Sequence, residues 1–187
     1  MTLYSQAARD GWTLELGRGS GIGGSLDANA PVIRLGDSAA NQQYRSILSF
    51  GTAALPDNAV LRSVTLEIKR AGIVGSNPFS TLGKIAVDIR AGAFSKNPAL
   101  QLDDYQAPGS ANAAMFIVNN PVRGWHIQTL GSAHFTRINH TGPTQFRLRF
   151  IKPNNGNQVA DFIRFYSGDF GTNPALRPRL VILYTLP

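Results

Sequence analysis

Alternation of apolar and polar residues is the pattern that most constrains how this chain folds. In the segment VTLEIK, Val64, Leu66 and Ile68 are apolar and the residues between them are polar. Successive side chains of a strand point to opposite faces, so this spacing predicts strands with one buried face. The clear predicted strands cover 44–50, 60–69, 84–90, 145–152, 161–167 and 179–185, and weaker ones cover 11–17, 31–36, 114–118 and 124–129.

Turn-forming residues separate these segments. Examples are LPDNA at 55–59, PNNGN at 153–157 and GTNP at 171–174. Many short strands joined by turns rich in glycine and proline are typical of sandwiches and barrels. The length of 187 residues fits one such unit. We therefore predict an all-β chain of about ten strands that forms a single domain over 1–187.

Two segments depart from the alternation. Residues 94–113 are rich in small polar side chains, and Asn97 followed by Pro98 is typical of a helix start. We therefore predict a long connection there, with a short helix near 98–105. The segment GRGSGIGGS at 17–25 is rich in glycine but lacks the Lys-Ser/Thr of a phosphate-binding loop. We expect it to be a flexible surface loop.

The residue content argues against several chemistries. The chain has no cysteine, which excludes disulfides, thiolate metal sites and cysteine nucleophiles. His126, His134 and His140 lack the spacing of a zinc motif. The 11 acidic residues form no recognisable catalytic pair in the sequence. A catalytic pair built from two carboxylates at distant positions of the chain stays an open alternative. We assign no catalytic residue and predict that the protein is not an enzyme, with a polysaccharide hydrolase or lyase as the least favoured alternative.

The net charge indicates which partners the chain attracts. It is +7, from 18 basic and 11 acidic residues, and 14 of the basic residues are arginine. Such a balance favours anionic polysaccharide, nucleic acid or an anionic surface, although it also serves solubility alone. We favour polysaccharide over nucleic acid. No apolar run is long enough for a transmembrane helix, so we predict no membrane span.

The outer faces of the strands carry the candidate ligand-binding residues. In QFRLRF, alternation turns Phe146 and Phe150 inward and Arg147 and Arg149 outward. The planar guanidinium suits carboxylate and phosphate groups, and an aromatic ring offers a platform to a sugar. The alternative is a solvated face with cross-strand ion pairs. The candidates are Arg45, Lys69, Lys84, Arg90, Arg147, Arg149, Arg164 and Tyr44.

Aspartates at strand ends and turns are the candidate metal ligands. Calcium takes oxygen ligands from loops, so we consider a structural calcium held by Asp10, Asp37, Asp161 and Asp169. The favoured alternative is that these side chains cap turns. We predict no other cofactor.

Four motifs of the chain, taken in order, resemble the DNRLRE-type domain. They are DGWTLE at 10–15, LGDSAANQQYRSILSF at 35–50, LPDNAVLRSVTLEIKR at 55–70 and RPRLVILY at 177–184. The resemblance covers most of the chain and is weakest over 91–142. It implies a jelly-roll β-sandwich of two antiparallel sheets.

The same resemblance implies a role. Domains of this type are appended to secreted bacterial proteins, and some relatives are alginate-binding modules that hold an acidic polysaccharide through lysine and arginine on a sheet face. We therefore expect a non-catalytic carbohydrate-binding module. We expect it to be a piece of a longer secreted or cell-surface protein, in which it would lie next to a parent enzyme or other surface domains. The alternative is a structural or adhesive domain that acts through protein–protein contacts.

Overall fold

Strands dominate the structure, a computed structural model that describes residues 1–187. The one α-helix, α1, spans only Pro78–Thr81, and no helix has the length and apolar character needed to cross a membrane. Short 3₁₀ turns occupy Ala7–Arg9, Thr52–Ala54, Leu102–Tyr105, Ser132–Arg137 and Pro174–Leu176. The strands are β1 (Thr2–Tyr4), β2 (Gly11–Glu15), β3 (Gly23–Asp27), β4 (Val32–Asp37), β5 (Gln43–Phe50), β6 (Val60–Val74), β7 (Ile85–Ala91), β8 (Ala111–Ile117), β9 (Trp125–Thr129), β10 (Thr144–Phe150), β11 (Asp161–Tyr166) and β12 (Arg179–Thr185).

All ten predicted strands are present, which confirms the all-β prediction. Two further strands, β1 and β3, were not predicted. β3 overlaps the glycine-rich segment that we expected to be a loop, and Leu26 of β3 pairs with Thr13 of β2. The loop prediction is therefore wrong for Gly23–Ser25, because backbone pairing with β2 holds these residues without the support of apolar side chains.

The helix predicted near 98–105 is wrong in extent. Only the 3₁₀ turn Leu102–Tyr105 forms there, and the Asn97 side chain accepts a hydrogen bond from the amide of Ala99 at 3.0 Å instead of starting a helix. The buried carboxylate of Asp104 accepts the amides of Ser95 and Gln101 at 2.9 and 2.8 Å, which fixes an irregular path. The same Asn-Pro pattern does start α1, where the Asn77 side chain accepts the amide of Phe79 at 3.1 Å.

Every strand pairing is antiparallel, and the strands join into one curled sheet. The hydrogen-bonded order is β1-β12-β6-β11-β4-β5-β10-β7-β8, with β2 between β3 and β5 and with β9 on β6. The long strand β6 changes partners along its length. Its residues up to Lys69 pair with β12 and β9, and its residues from Arg70 pair with β11. This change of partner lets the sheet curl around its apolar side chains.

The main core lies inside the curl and contains 23 buried residues. Phe146 packs edge-on against Phe50 at 5.7 Å between ring centroids, and Phe150 packs against Phe79 at 5.1 Å. A second, smaller cluster lies on the opposite face of β5, where Ile47 contacts Phe94 and Leu100. The segment 94–107 thus covers part of the outer face of β5 and β10. Only the uncovered part of that face is accessible to a ligand.

Candidate functional site

Five of the eight candidate ligand-binding residues meet on one sheet face. Arg147 of β10 lies between Ile47 of β5 and Asp88 of β7, and Arg149 lies beside Ala86 of β7. We call this surface the basic face, the outer side of β5, β10 and β7. Its cations are Arg45, Lys84, Arg90, Arg147 and Arg149.

Arg147 is the buried centre of the basic face. Its residue exposure is 5%, and its Nη2 lies 2.8 Å from Oδ2 of Asp88. Its Nη1 donates to the carbonyls of Asp104, Tyr105 and Ala107 at 3.0, 3.1 and 2.7 Å. Alternation correctly places Arg147 away from the core, but the segment 94–107 covers it. Arg147 therefore fixes this segment and is not accessible to a ligand.

Two other arginines hold the covering segment, Arg45 within it and Arg90 at its two ends. Arg90 donates to the carbonyls of Ala93 and Pro108 at 3.2 and 3.4 Å. Arg45 donates to the carbonyl of Tyr105 at 2.6 Å, and its guanidinium lies 3.9 Å from the centroid of the Tyr105 ring. Burial, joined by the charges of Arg147 and Arg149, lowers the pKa of Arg45. The basic face thus concentrates positive charge around the edge of the segment.

The uncovered part of the basic face carries free donors. The Arg149 side chain is 26% exposed and contacts Asp88 only at 3.3 and 3.5 Å. Lys84 is exposed, and its Nζ lies 3.7 Å from the centroid of the Phe116 ring. Ala86 pairs with both Arg149 and Phe116, so these side chains lie in one row across three strands. We call Arg149, Lys84 and Phe116 the exposed strip.

Asp88 is the one acid that forms ion pairs with these cations. Burial raises the pKa of Asp88, but the amide of Ala113 and the charges of Arg147 and Arg149 outweigh it and hold that pKa below its usual value. A single ionised carboxylate therefore faces several cations, and the strip keeps an excess of positive charge.

A cavity of about 180 Å³ adjoins the strip at Lys84. Its other lining residues are Phe79, Gly83, Val118 and Asn119. This volume is well below the ~300 Å³ at which drug-sized ligand pockets begin. The cavity therefore suits a small group, such as part of one sugar ring.

The remaining candidates lie elsewhere. The ammonium of Lys69 donates to the carbonyl of Arg123 and lies 5.8 Å from the ring centroid of Trp125, on the outer face of β6 and β9. Tyr44 is 7% exposed and Arg164 is on β11, so neither joins the basic face. The basic face predicted from alternation thus forms without these three residues.

The four candidate calcium ligands form two pairs. In the first, Oδ2 of buried Asp10 accepts the hydroxyl of Ser5 at 2.6 Å and the amide of Gly168 at 2.7 Å. Burial raises the pKa of Asp10 to about 7, and the nearby charge of Asp169 adds to the increase. These two hydrogen bonds make Asp10 a link between the N-terminal segment and the turn after β11.

In the second pair, Asp161 lies opposite Asp37 across β4 and β11. Its carboxylate accepts the amide of Ser76 at 2.6 Å and the side-chain amides of Asn155 and Asn157 at 2.7 and 2.8 Å. Nowhere are three or more histidine, aspartate or glutamate side chains grouped so that they could hold a metal ion. The hydrogen bonds give Asp161 the role of an anchor for the neighbouring loops, and calcium binding stays a prediction.

Sequence reasoning missed a second cationic surface. The guanidinium of Arg34 lies 4.6 Å from the ring centroid of Trp12 and 5.5 Å from that of Phe162. Arg164 is the cross-strand partner of Arg34. The alternation in VIRLGD and DFIRFY places both arginines outward, which was the available signal. We call Trp12, Arg34, Tyr44, Phe162 and Arg164 the arginine–aromatic face.

Comparison with known proteins adds no relative. No protein-family model matches the chain, and no curated protein matches it. The resemblance to DNRLRE-type domains therefore stays a prediction that rests on the motifs alone.

Proposed function

We propose that this protein is a non-catalytic carbohydrate-binding module that binds an acidic polysaccharide along the exposed strip. The observation that carries the proposal is the row formed by Arg149, Ala86 and Phe116, with Lys84 over the Phe116 ring. Cationic donors and an apolar ring thus share one accessible surface. A polysaccharide with carboxylate groups presents the complementary chemistry, namely anionic oxygens and apolar C–H faces.

The donors of the strip are available for a ligand. Arg149 makes only long contacts to Asp88, and its Nη1 has no hydrogen-bond partner. The ammonium of Lys84 has none either, and Phe116 is 36% exposed. Charge-assisted hydrogen bonds from such groups to carboxylates are among the stronger polar contacts in proteins. Because Lys84 has no acidic partner and Arg149 shares its one acid, Asp88, with Arg147, binding an external carboxylate costs little rearrangement.

The wider proposal follows the sequence motifs. We infer that the curled sheet is a two-sheet jelly-roll sandwich of the DNRLRE type, and that the domain serves a secreted or cell-surface protein. The change of partners along β6 supports two sheets that share one long strand. Calcium is not required by this proposal.

Affinity electrophoresis of the full chain tests the proposal. The gels would contain alginate or pectate as polyuronates, and a neutral β-glucan as the control. We expect retardation by the polyuronates that weakens as salt is raised, because exposed charges are screened within about 10 Å at 0.1 M ionic strength. Migration that no polyuronate alters would contradict acidic-ligand binding.

A structural or adhesive role is the second candidate. The outer face of β1, β12, β6 and β9 exposes Tyr4, Ile127 and Leu183 at 46%, 52% and 63%. Exposed apolar side chains on one sheet face favour contact with another protein. Light scattering that shows self-association, together with unaltered migration in every glycan gel, would favour this role.

A further inference from the structure

Arg34 and Arg164 are adjacent arginines that lack any acidic partner. They are directly opposite each other on β4 and β11, a position in which Cβ atoms are about 4.5–5.5 Å apart. Neither guanidinium forms a salt bridge or donates a hydrogen bond. Like charges at cross-strand positions destabilise a sheet, so this pairing has a cost that no acidic side chain of the chain offsets.

Three buried donors on this face have no acceptor. They are Nε of Arg34, Nε of Arg164 and Nε1 of Trp12. The great majority of buried polar atoms in proteins are hydrogen-bonded, and each exception needs a physical explanation. Three unpaired donors on neighbouring strands, two of them cationic, show that the chain supplies this face with positive charge but with no acceptor for it.

The surroundings of the arginines are aromatic. Trp12 and Tyr44 pack edge to face at 5.4 Å between centroids, and Tyr44 contacts Phe162 at 5.3 Å. The guanidinium of Arg34 lies on this aromatic group. Arg164 leans the opposite way, because Nη2 lies 2.9 Å from where a Cβ on Gly72 would be. The two guanidiniums therefore lean apart, Arg34 towards Trp12 on β2 and Arg164 towards β6, where Gly72 leaves the room that Arg164 occupies.

We propose that the arginine–aromatic face is a second binding site, which takes one oxyanion substituent, a carboxylate or a sulfate ester, on a sugar ring. The oxyanion accepts hydrogen bonds from the Nη groups of Arg34, and Arg164 on the neighbouring strand adds a second positive charge. The apolar face of the sugar ring packs on the half-buried rings of Trp12 and Phe162. The fixed fork of arginine suits such a group, and lysine does not reproduce it.

This site does not depend on the exposed strip. The strip lies on β10, on β8 and at the start of β7, whereas the second site lies on β2, β4, β11 and the first residues of β5. A chain that binds at both sites engages one long polysaccharide in two places, and its avidity then exceeds the affinity of either site.

Tryptophan fluorescence isolates the second site. The chain has two tryptophans, so Trp125→Phe leaves Trp12 as the only reporter. In this background, the full chain is titrated with an oligouronate, with a sulfated oligosaccharide and with a neutral oligosaccharide. We expect saturable changes with one or both acidic ligands and none with the neutral one. Comparison of the oligouronate titration with the sulfated-oligosaccharide titration shows whether the site prefers a carboxylate or a sulfate ester.

Variants then assign the response to the arginines. We expect Arg34→Gln to weaken binding at least about tenfold, the usual scale for losing a hydrogen bond to a charged group, and Arg164→Gln to weaken it severalfold through the lost charge. Arg34→Lys keeps the charge but not the fork and should still weaken binding severalfold, whereas Arg164→Lys should bind like the parent chain. Arg137→Gln removes one exposed arginine elsewhere and should change nothing. Circular dichroism identifies any variant that fails to fold, and Arg34→Lys then replaces Arg34→Gln.

The two proposed sites fail in different ways. Loss of the Trp12 response in Lys84→Gln/Arg149→Gln, with full binding in Arg34→Gln and Arg164→Gln, would overturn the second site and leave the strip. A Trp12 response that is weakened only in the Arg34 variants and Arg164→Gln supports the second site whatever the strip does. No response to any acidic ligand would also overturn it.

Discussion

Arg147 donates two hydrogen bonds to the same carboxylate oxygen of Asp88, from Nε at 3.0 Å and from Nη2 at 2.8 Å. Asp88 is fully buried and Arg147 nearly so. The third nitrogen of the guanidinium holds the carbonyls of the segment 94–107. One buried ion pair thus joins the sheet to the segment that covers its outer face.

Replacing Arg147 tests whether this ion pair stabilises the fold. Arg147→Met keeps an unbranched apolar stem but removes the charge, and it leaves buried Asp88 with Arg149 as its one cationic partner, at 3.3 Å. We expect the free energy of unfolding in urea at pH 7 to fall by about 3–5 kcal/mol, the usual cost of breaking a buried pair. Asp88→Asn/Arg147→Met removes both charges and should recover part of the loss. Equal stability of Arg147→Met and the parent chain would contradict the role of this ion pair in holding the segment on the sheet.

The sequence predicted which face Arg147 occupies but not that this face is covered. Alternation fixes the side of the strand, since Phe146 and Leu148 must lie in the core. Whether the opposite side meets water depends on the path of residues 94–107, and that path follows long-range contacts such as Phe94 on Ile47. No local periodicity encodes such contacts. The ten predicted strands were therefore correct, while the accessibility of their outer faces was not predictable.

Asp10 makes stability depend on pH near neutrality. Burial raises its pKa to about 7 in the folded chain, above the ~3.9 of an exposed aspartate. The folded chain then binds the extra proton, so this contribution is present at low pH and is lost as the pH rises from about 4 to about 7. We expect the free energy of unfolding to fall over that range by at most about 4 kcal/mol.

Asp10→Asn is the matched variant, because it is neutral at every pH and keeps acceptors for Ser5 and Gly168. Urea unfolding at a series of pH values should show a flatter profile for Asp10→Asn than for the parent chain. Two parallel profiles would exclude Asp10 as the group that titrates.

Gly36 sits where no other residue fits. Its φ is +136°, and a Cβ there would overlap the carbonyl oxygen of Asp161 and lie 2.7 Å from Cα of Phe162. We expect Gly36→Ala to lower the free energy of unfolding by about 3 kcal/mol or more, since backbone strain and overlap act together. Gly17→Ala is the control, because nothing lies within 4 Å of its Cβ position. Similar effects of both substitutions on urea unfolding would contradict the close approach of β4 and β11.

Calcium addition distinguishes a metal site from a loop anchor at Asp37 and Asp161. The carboxylate of Asp161 already accepts N–H donors from Ser76, Asn155 and Asn157, which a cation would have to displace. We therefore expect the melting temperature to be the same in calcium and in EDTA. A bound ion at 100 times its Kd would add about 2.7 kcal/mol and raise the melting temperature by several degrees, which would establish the metal site.

The arginine–aromatic face shows a second limit of sequence reasoning. Arg164 and Tyr44 were among the candidates, but nothing in the sequence joined them to Arg34. These residues lie on three strands, and their contact depends on β4 pairing with both β11 and β5. Strand order in an antiparallel sheet is set by packing of the whole chain. The sequence therefore predicted which residue types could bind a ligand, but not that these residues come together on one face.

Isothermal titration with an oligouronate tests most directly whether the exposed strip binds an acidic polysaccharide. The comparison is between the parent chain, Lys84→Gln/Arg149→Gln and the charge-matched control Arg18→Gln/Arg137→Gln, whose two arginines are exposed elsewhere. We predict saturable binding by the parent chain and the control, and affinity at least about tenfold weaker in the strip variant. Equal weakening in both double variants would show that net charge alone attracts the ligand, and no heat of binding in the parent chain would contradict the proposed function itself.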